Sequence, residues 1–154
     1  MLSEAAIKEL NEIRQKYPDA RAALLPAFYI AQREFGYLGS DAYEAVSEAL
    51  GVPKAIARGV GTFYAMYRHK PMGRHVVQLC TNVSCMILGA EKLSDFLKNK
   101  YGLEPGGTTP DKRFSLVIME CIGACGTAPA MLVNDDFYEN LTEKYIEEIL
   151  EKYK

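Results

Sequence analysis

Tryptophan is absent from this chain of 154 residues, histidine occurs twice and cysteine only four times. Long apolar runs are also missing. No uncharged stretch reaches the roughly 18 residues needed to span a bilayer, so direct membrane insertion is not expected. Charge of one sign is not in excess either. The 18 Lys and Arg against 20 Asp and Glu leave a net −2, which offers no electrostatic footing for nucleic acid. The opening MLSEAAIKELNEIRQKYPDARAALL has no apolar centre of the kind a secretory signal needs, and its acidic residues do not suit a transit peptide. A reducing cytoplasm is the expected location, or an organelle matrix after loss of a presequence. There, closely paired cysteines hold metal or do redox chemistry more often than they form structural disulfides.

What is present reads as an ordinary globular protein: 49% apolar and 25% charged residues, with 10 Tyr and 6 Phe. The expected fold class is α+β. Residues 1–70 read as a helical bundle, beginning with Ser3 as a cap and Ile7, Leu10, Ile13 and Tyr17 on one stripe. A second helix carries Leu24, Phe28, Ala31 and Phe35 and ends at Gly36. A third follows, with Asp41 and Glu44 as a capping box, Tyr43, Val46 and Leu50 as the buried face, and Gly51 as terminator. Pro53 suits the start of a fourth helix, which Gly59 and Gly61 are expected to weaken before Tyr67. Phe63, Tyr64 and Tyr67 read as core, with a docking surface as the alternative.

RHKPMGRH at 68–75 marks the boundary to a second domain, 71–154. Its short apolar runs HVVQLC, FSLVIMEC and AMLVN are of strand length. A helix from about 89 to 100 separates the first two, and FYENL pairs with AMLVN as a hairpin. Thr142 caps a closing helix with Leu141, Tyr145, Ile149 and Leu150 on one face. The order β-α-β-β-α fits a thioredoxin-like domain.

The cysteines fall in two tight pairs, Cys80 with Cys85 and Cys121 with Cys125. Each pair follows a strand, and neighbouring strands of one sheet would bring the pairs together. The spacings C-x4-C and C-x3-C are wider than the usual zinc knuckle and suit the two irons of a [2Fe-2S] cluster better than one zinc, although zinc stays open. A thioredoxin-type redox couple would need C-x-x-C, which is absent. Incidental core cysteines would not explain the pairing. Gly123 and Gly126 bracket Cys125, where glycine lets backbone N–H groups approach sulfur.

CTNVSCMILGAEKL, GLEPGGTTPDKRF and MECIGACGTAPAMLVNDDFYENLT, together with GVGTFYAMY at 59–67, resemble one family. It is the small E-type iron–sulfur subunit of the NADH dehydrogenase module of respiratory complex I, also found in NAD-linked hydrogenases and formate dehydrogenases. The resemblance covers nearly the whole chain. It implies a thioredoxin-like ferredoxin domain with one [2Fe-2S] cluster, ligated by Cys80, Cys85, Cys121 and Cys125, each close pair holding one iron. It also implies a helical N-terminal domain docked on a partner that carries FMN and binds NADH, further iron–sulfur subunits, and a place on the cytoplasmic face of the membrane in complex I. Such folds often hold a cis proline where Pro129 leads the third strand.

The chain supplies no catalytic machinery of its own. It has no G-x-G-x-x-G, and GLEPGGTTP lacks the ending of a phosphate-binding loop. His69 and His75 flank the linker and read as solvated. The expected role is a one-electron relay inside an oxidoreductase. The competing readings are a metal-stiffened docking module and a free thiol oxidoreductase with a reactive cysteine.

Overall fold

Ser3 accepts a hydrogen bond from the Ala6 N–H at 3.2 Å and starts α1, Glu4–Arg14, in the computed structural model, which describes residues 2–154. A 3-10 turn at Ala20–Ala23 leads into α2, Leu24–Phe35; α3 is Ser40–Leu50 and α4 is Lys54–Phe63. These elements lie in one compact unit, Met1–Pro71, and the rest of the chain forms a second, Met72–Lys154. Among the described residues no helix is long and apolar enough to cross a membrane.

The core of the first unit follows the helical spacing. Leu24, Phe28 and Ala31 of α2 are buried, as are Tyr43, Val46 and Leu50 of α3. Phe28 sits at its centre, with the rings of Tyr43 and Tyr67 edge-on to it at 5.6 and 5.4 Å. Both α2 and α3 stop at left-handed glycines, Gly36 and Gly51.

Three expectations change. In α1 the packed residues are Ala6 and Leu10, joined by Leu2 just ahead of the helix, while Ile7 is exposed, about 100° further round from Ala6. Tyr17 falls beyond the end of α1 at Arg14 and is also exposed. The capping box of α3 does not form. The cap position falls on Gly39, which has no side chain to accept, and Glu44 instead pairs with Lys54 at 3.2 Å. The aromatic trio divides: Tyr67 is buried and donates to the Leu25 carbonyl at 2.8 Å, Tyr64 is partly exposed, and Phe63 is 80% exposed.

Helix α4 runs through both glycines, and Gly61 has a packing reason. A Cβ there would lie 2.6 Å from the Tyr43 ring and hydroxyl, so only glycine lets the two helices approach this closely. Gly61→Ala is expected to destabilise the protein by about 1–3 kcal/mol through overpacking against a pinned ring. Gly59→Ala, with nothing within 4 Å of the new methyl, is expected to stabilise by roughly 0.5–1 kcal/mol. Urea melts of the two variants check the opposite signs.

In the second unit, β1 (His75–Cys80) pairs parallel with β2 (Phe114–Met119) and antiparallel with β3 (Met131–Val133), which in turn pairs antiparallel with β4 (Asp136–Tyr138). The sheet order is β2-β1-β3-β4. Between β1 and β2 lie α5 (Val83–Ile87) and α6 (Ala90–Tyr101), and α7 (Glu143–Leu150) closes the chain. Leu79, Leu116 and Met131 of the sheet pack with Leu97 of α6 and with Ile146 and Ile149 of α7, all essentially inaccessible. Thr142 caps α7 as expected, and Leu141 is buried, whereas Tyr145 is only partly so.

The glycine-rich segment 102–113 is no phosphate cradle. It folds along the outer edge of β2, bridging Pro105 to Leu116 and Thr108 to Ser115, and so covers an otherwise open sheet edge. Asn134 sits left-handed in the β3–β4 turn and accepts from the Val76 N–H at 3.0 Å. His75 meets the Asn134 amide at 3.2 Å and is thereby part of the same turn anchor.

Candidate metal centre

The parallel register of β1 and β2 sets the site. Cys80, the last residue of β1, lies opposite Met119, the last residue of β2, so Cys121 follows two residues beyond the same end of the sheet. The Cys80 N–H donates to the Ala130 carbonyl and the Thr81 N–H to the Met119 carbonyl, both at 3.1 Å. These bonds clamp the start of one cysteine loop between the two neighbouring strands.

Cys85 is not in a loop. It sits in the short helix α5, where Asn82 accepts from the Val83 N–H at 2.7 Å and turns the chain back on itself. That turn buries Cys85 beside Cys80, and Ile122 and Ala128 of the other cysteine loop pack against the two of them. Burial pushes the Cys85 thiol above its ordinary pKa, and a hydrogen bond with Cys80 raises it further; the Ala130 backbone acts in the opposite sense, and Cys125 contributes a small further rise. Cys121 and Cys125 are exposed, and none of the four is in a disulfide.

Gly123, at φ +85°, donates its N–H to the Cys121 sulfur at 3.4 Å. A left-handed residue aims that N–H back at the sulfur, a conformation costing an L-residue about 1–2 kcal/mol. Gly126 has neither a positive φ nor a close neighbour, so its small size meets no steric demand. The Ala128–Pro129 bond is cis. His69 and His75 lie apart from the cysteines in their contacts: His69 meets the Tyr43 hydroxyl at 3.3 Å, and His75 joins Asn134.

The feature least visible in the sequence is the rim. Val83, Met86, Ile87 and Leu88 are all exposed on or beside α5, with Ile87 at 73%. The signal was there as an absence: no charged side chain occurs between Arg74 and Glu91. One pair of thiols is thus buried behind an apolar, uncharged surface, and the other faces outward.

A parallel strand pair, an antiparallel hairpin beside it and two cysteine pairs at one end of the sheet define a thioredoxin-like ferredoxin. The family model described as thioredoxin-like [2Fe-2S] ferredoxin matches residues 10–154, and the chain belongs to that family. It is 41% identical over 147 residues to an E-type subunit of the NADH-quinone oxidoreductase of Rhizobium meliloti (strain 1021), covering 96% of this chain and 88% of that protein. It is 37% identical over 153 residues to the E-type subunit of the NADH-quinone oxidoreductase of Escherichia coli (strain K12), covering 99% and 92%. Among solved structures, an NAD+-reducing [NiFe]-hydrogenase in the air-oxidized state matches with a TM-score of 0.72 and 25% identity, over 84% of this chain and 22% of that longer one.

The residues present suit the family's cluster. Among the described residues no three Cys, His, Asp or Glu side chains gather closely enough to grip a single ion. Each iron of a [2Fe-2S] cluster takes two protein thiolates, and the chain presents its four cysteines as two close pairs, none of them in a disulfide. The donor set, two thiol pairs with a backbone N–H on one sulfur, is the chemistry such a cluster uses.

Proposed function

We propose that this chain is the electron-transfer subunit of an NADH-oxidising complex of the NADH:quinone oxidoreductase type. Cys80, Cys85, Cys121 and Cys125 hold its [2Fe-2S] cluster, Cys80 and Cys85 on one iron and Cys121 and Cys125 on the other. When bound, the cluster accepts and returns one electron at a time. The observation that carries the reading is the register of β1 and β2, which brings two cysteine pairs to one end of one sheet.

The chain's own residues do the rest. Cys80 and Cys85, held by the Ala130 carbonyl and α5, give a buried, water-poor side to the site. The Gly123 N–H lowers electron density on the Cys121 sulfur, the kind of contact that raises a cluster's potential. The exposed pair and the uncharged rim of Val83, Ile87 and Leu88 form the side that a partner protein covers, since an apolar surface of this kind seldom stays open to water.

That partner carries FMN and binds NADH, as the family resemblance implies; this chain shows no dinucleotide fingerprint of its own. Further iron–sulfur subunits take the electron onward, on the cytoplasmic face of the membrane. The likeness to the hydrogenase favours one second reading, the equivalent subunit of a NAD-linked hydrogenase; the nearly complete match to the quinone-reductase subunits favours the first.

Anaerobic purification followed by metal and sulfide analysis tests the proposal. About two irons and two sulfides per chain are expected, EPR-silent as isolated and giving an S = 1/2 signal after dithionite. One zinc per chain with no EPR signal would sink it and leave a structural docking module.

A further inference from the structure

The helical unit contains a cavity of about 260 Å³ whose lining includes Ser40, Tyr43, Lys54, Arg58, Thr62 and His69. No Asp or Glu is among its lining residues. The Tyr43 side chain is only 5% exposed, yet its hydroxyl reaches the cavity and meets His69 Nδ1 at 3.3 Å. Packing holds it there. Phe28 lies edge-on at 5.6 Å, and the missing Cβ of Gly61 makes room for the ring. Burial pushes the Tyr43 hydroxyl's pKa up, and the Arg58 charge acts against it.

The polar groups here are donors in search of an acceptor. Lys54 bonds the Ser40 hydroxyl and Glu44, each at 3.2 Å, leaving the Ser40 proton free to donate. Thr62 donates to the Arg58 carbonyl at 2.8 Å, but the Arg58 guanidinium itself has no acceptor among the described residues. The neighbouring start of α3, at Gly39, has no side-chain cap and adds a helix dipole of the same sign.

We propose that this cavity binds a small tetrahedral oxyanion of the phosphate class. Arg58 is the principal cation, with Lys54, the Ser40 hydroxyl and one donor from the hydrogen-bonded Tyr43–His69 pair completing the set. Those donors outnumber what the two oxygens of a carboxylate take, and guanidinium pairs well with phosphate oxygens. The volume falls below the roughly 300–1,000 Å³ of sites that enclose drug-sized ligands, so an inorganic-sized anion fits and a whole dinucleotide does not.

Calorimetric titration of the full, cluster-loaded chain with inorganic phosphate tests this, at constant ionic strength and with the His69 ring signals followed by proton NMR. Saturable binding is expected, with a matching shift of the His69 signals and at least about a tenfold weakening in Arg58→Gln, as expected for loss of a charge-assisted contact. Arg58→Lys is expected to lose less, acetate to bind more weakly than phosphate, and Lys92→Gln on α6 to bind as the parent does. Arg58 is exposed, so the variant's fold is not at risk. No saturable heat in the millimolar range, or binding that Arg58→Gln leaves unchanged, would overturn the proposal.

Discussion

Iron is expected to fall from about two per chain to near zero when Cys80 and Cys85 are replaced together by serine, and the reduced S = 1/2 signal to vanish with it. Both sulfurs are buried among Ala90, Ile122 and Ala128, so no outside ligand easily takes their place. Two serine hydroxyls in that apolar pocket would have only each other and the Glu120 carbonyl, which Cys80 Sγ meets at 3.7 Å, as partners, so the change costs the fold on the order of 1 kcal/mol. The exposed pair provides the contrast. Cys121→Ser with Cys125→Ser is expected to lose the cluster equally but at little cost to the fold, because these side chains lie in water already. Iron analysis and a urea melt on both double variants separate ligand loss from unfolding. Electron flux in the reassembled complex then decides the role. A relay loses it in both variants, while a metal-stiffened docking module would keep it with the partner still bound. Retention of both irons after removal of either pair would refute the ligand assignment.

Phe28→Ala is expected to destabilise the helical unit by about 3–5 kcal/mol. The side chain is fully inaccessible and stands between the rings of Tyr43 and Tyr67. Truncation leaves a cavity that those rings do not fill. Tyr43 is confined by Gly61 on α4, and Tyr67 is tethered by its hydroxyl to the Leu25 carbonyl at 2.8 Å. Each lost edge contact adds about 0.5–1.5 kcal/mol beyond burial. Proteins hold only about 0.05–0.15 kcal/mol of net stability per residue, so this change removes a large part of what the unit has. At a urea slope of about 1–3 kcal/mol per molar, the midpoint drops by roughly 1 M or more. A loss under about 1 kcal/mol would mean that the site collapses freely, contrary to the pinned geometry.

Much of the fold was legible because local chemistry and burial agreed. Ser3 and Thr142 cap helices, Gly36 and Gly51 end them, and Leu24, Phe28, Val46 and Leu50 face inward, all as their spacing implied. The failures on helix faces have one cause. Ile7 and Phe63 have the right composition for a core, but which face of a helix packs depends on where its neighbours lie, and hydrophobicity alone does not say; Tyr17 simply lies past the end of α1. The Asp41 cap failed because α3 begins two residues sooner than that assignment requires, with Gly39 in the cap position.

At the metal centre the four cysteines, their pairing and the family they belong to could be read from the order of residues alone, since spacing and motif are properties of the chain. Three features belong to the tertiary structure: the parallel register that sets Cys80 against the start of the second loop, the burial of one pair and exposure of the other, and the bare apolar face of α5. So does the donor-lined cavity around Tyr43, whose residues are scattered from Leu38 to His69. Sequence determines which donors and acceptors exist. Packing of distant segments determines which of them meet and which are cut off from water, because hydrogen bonds and desolvation act over ångströms in space rather than along the chain.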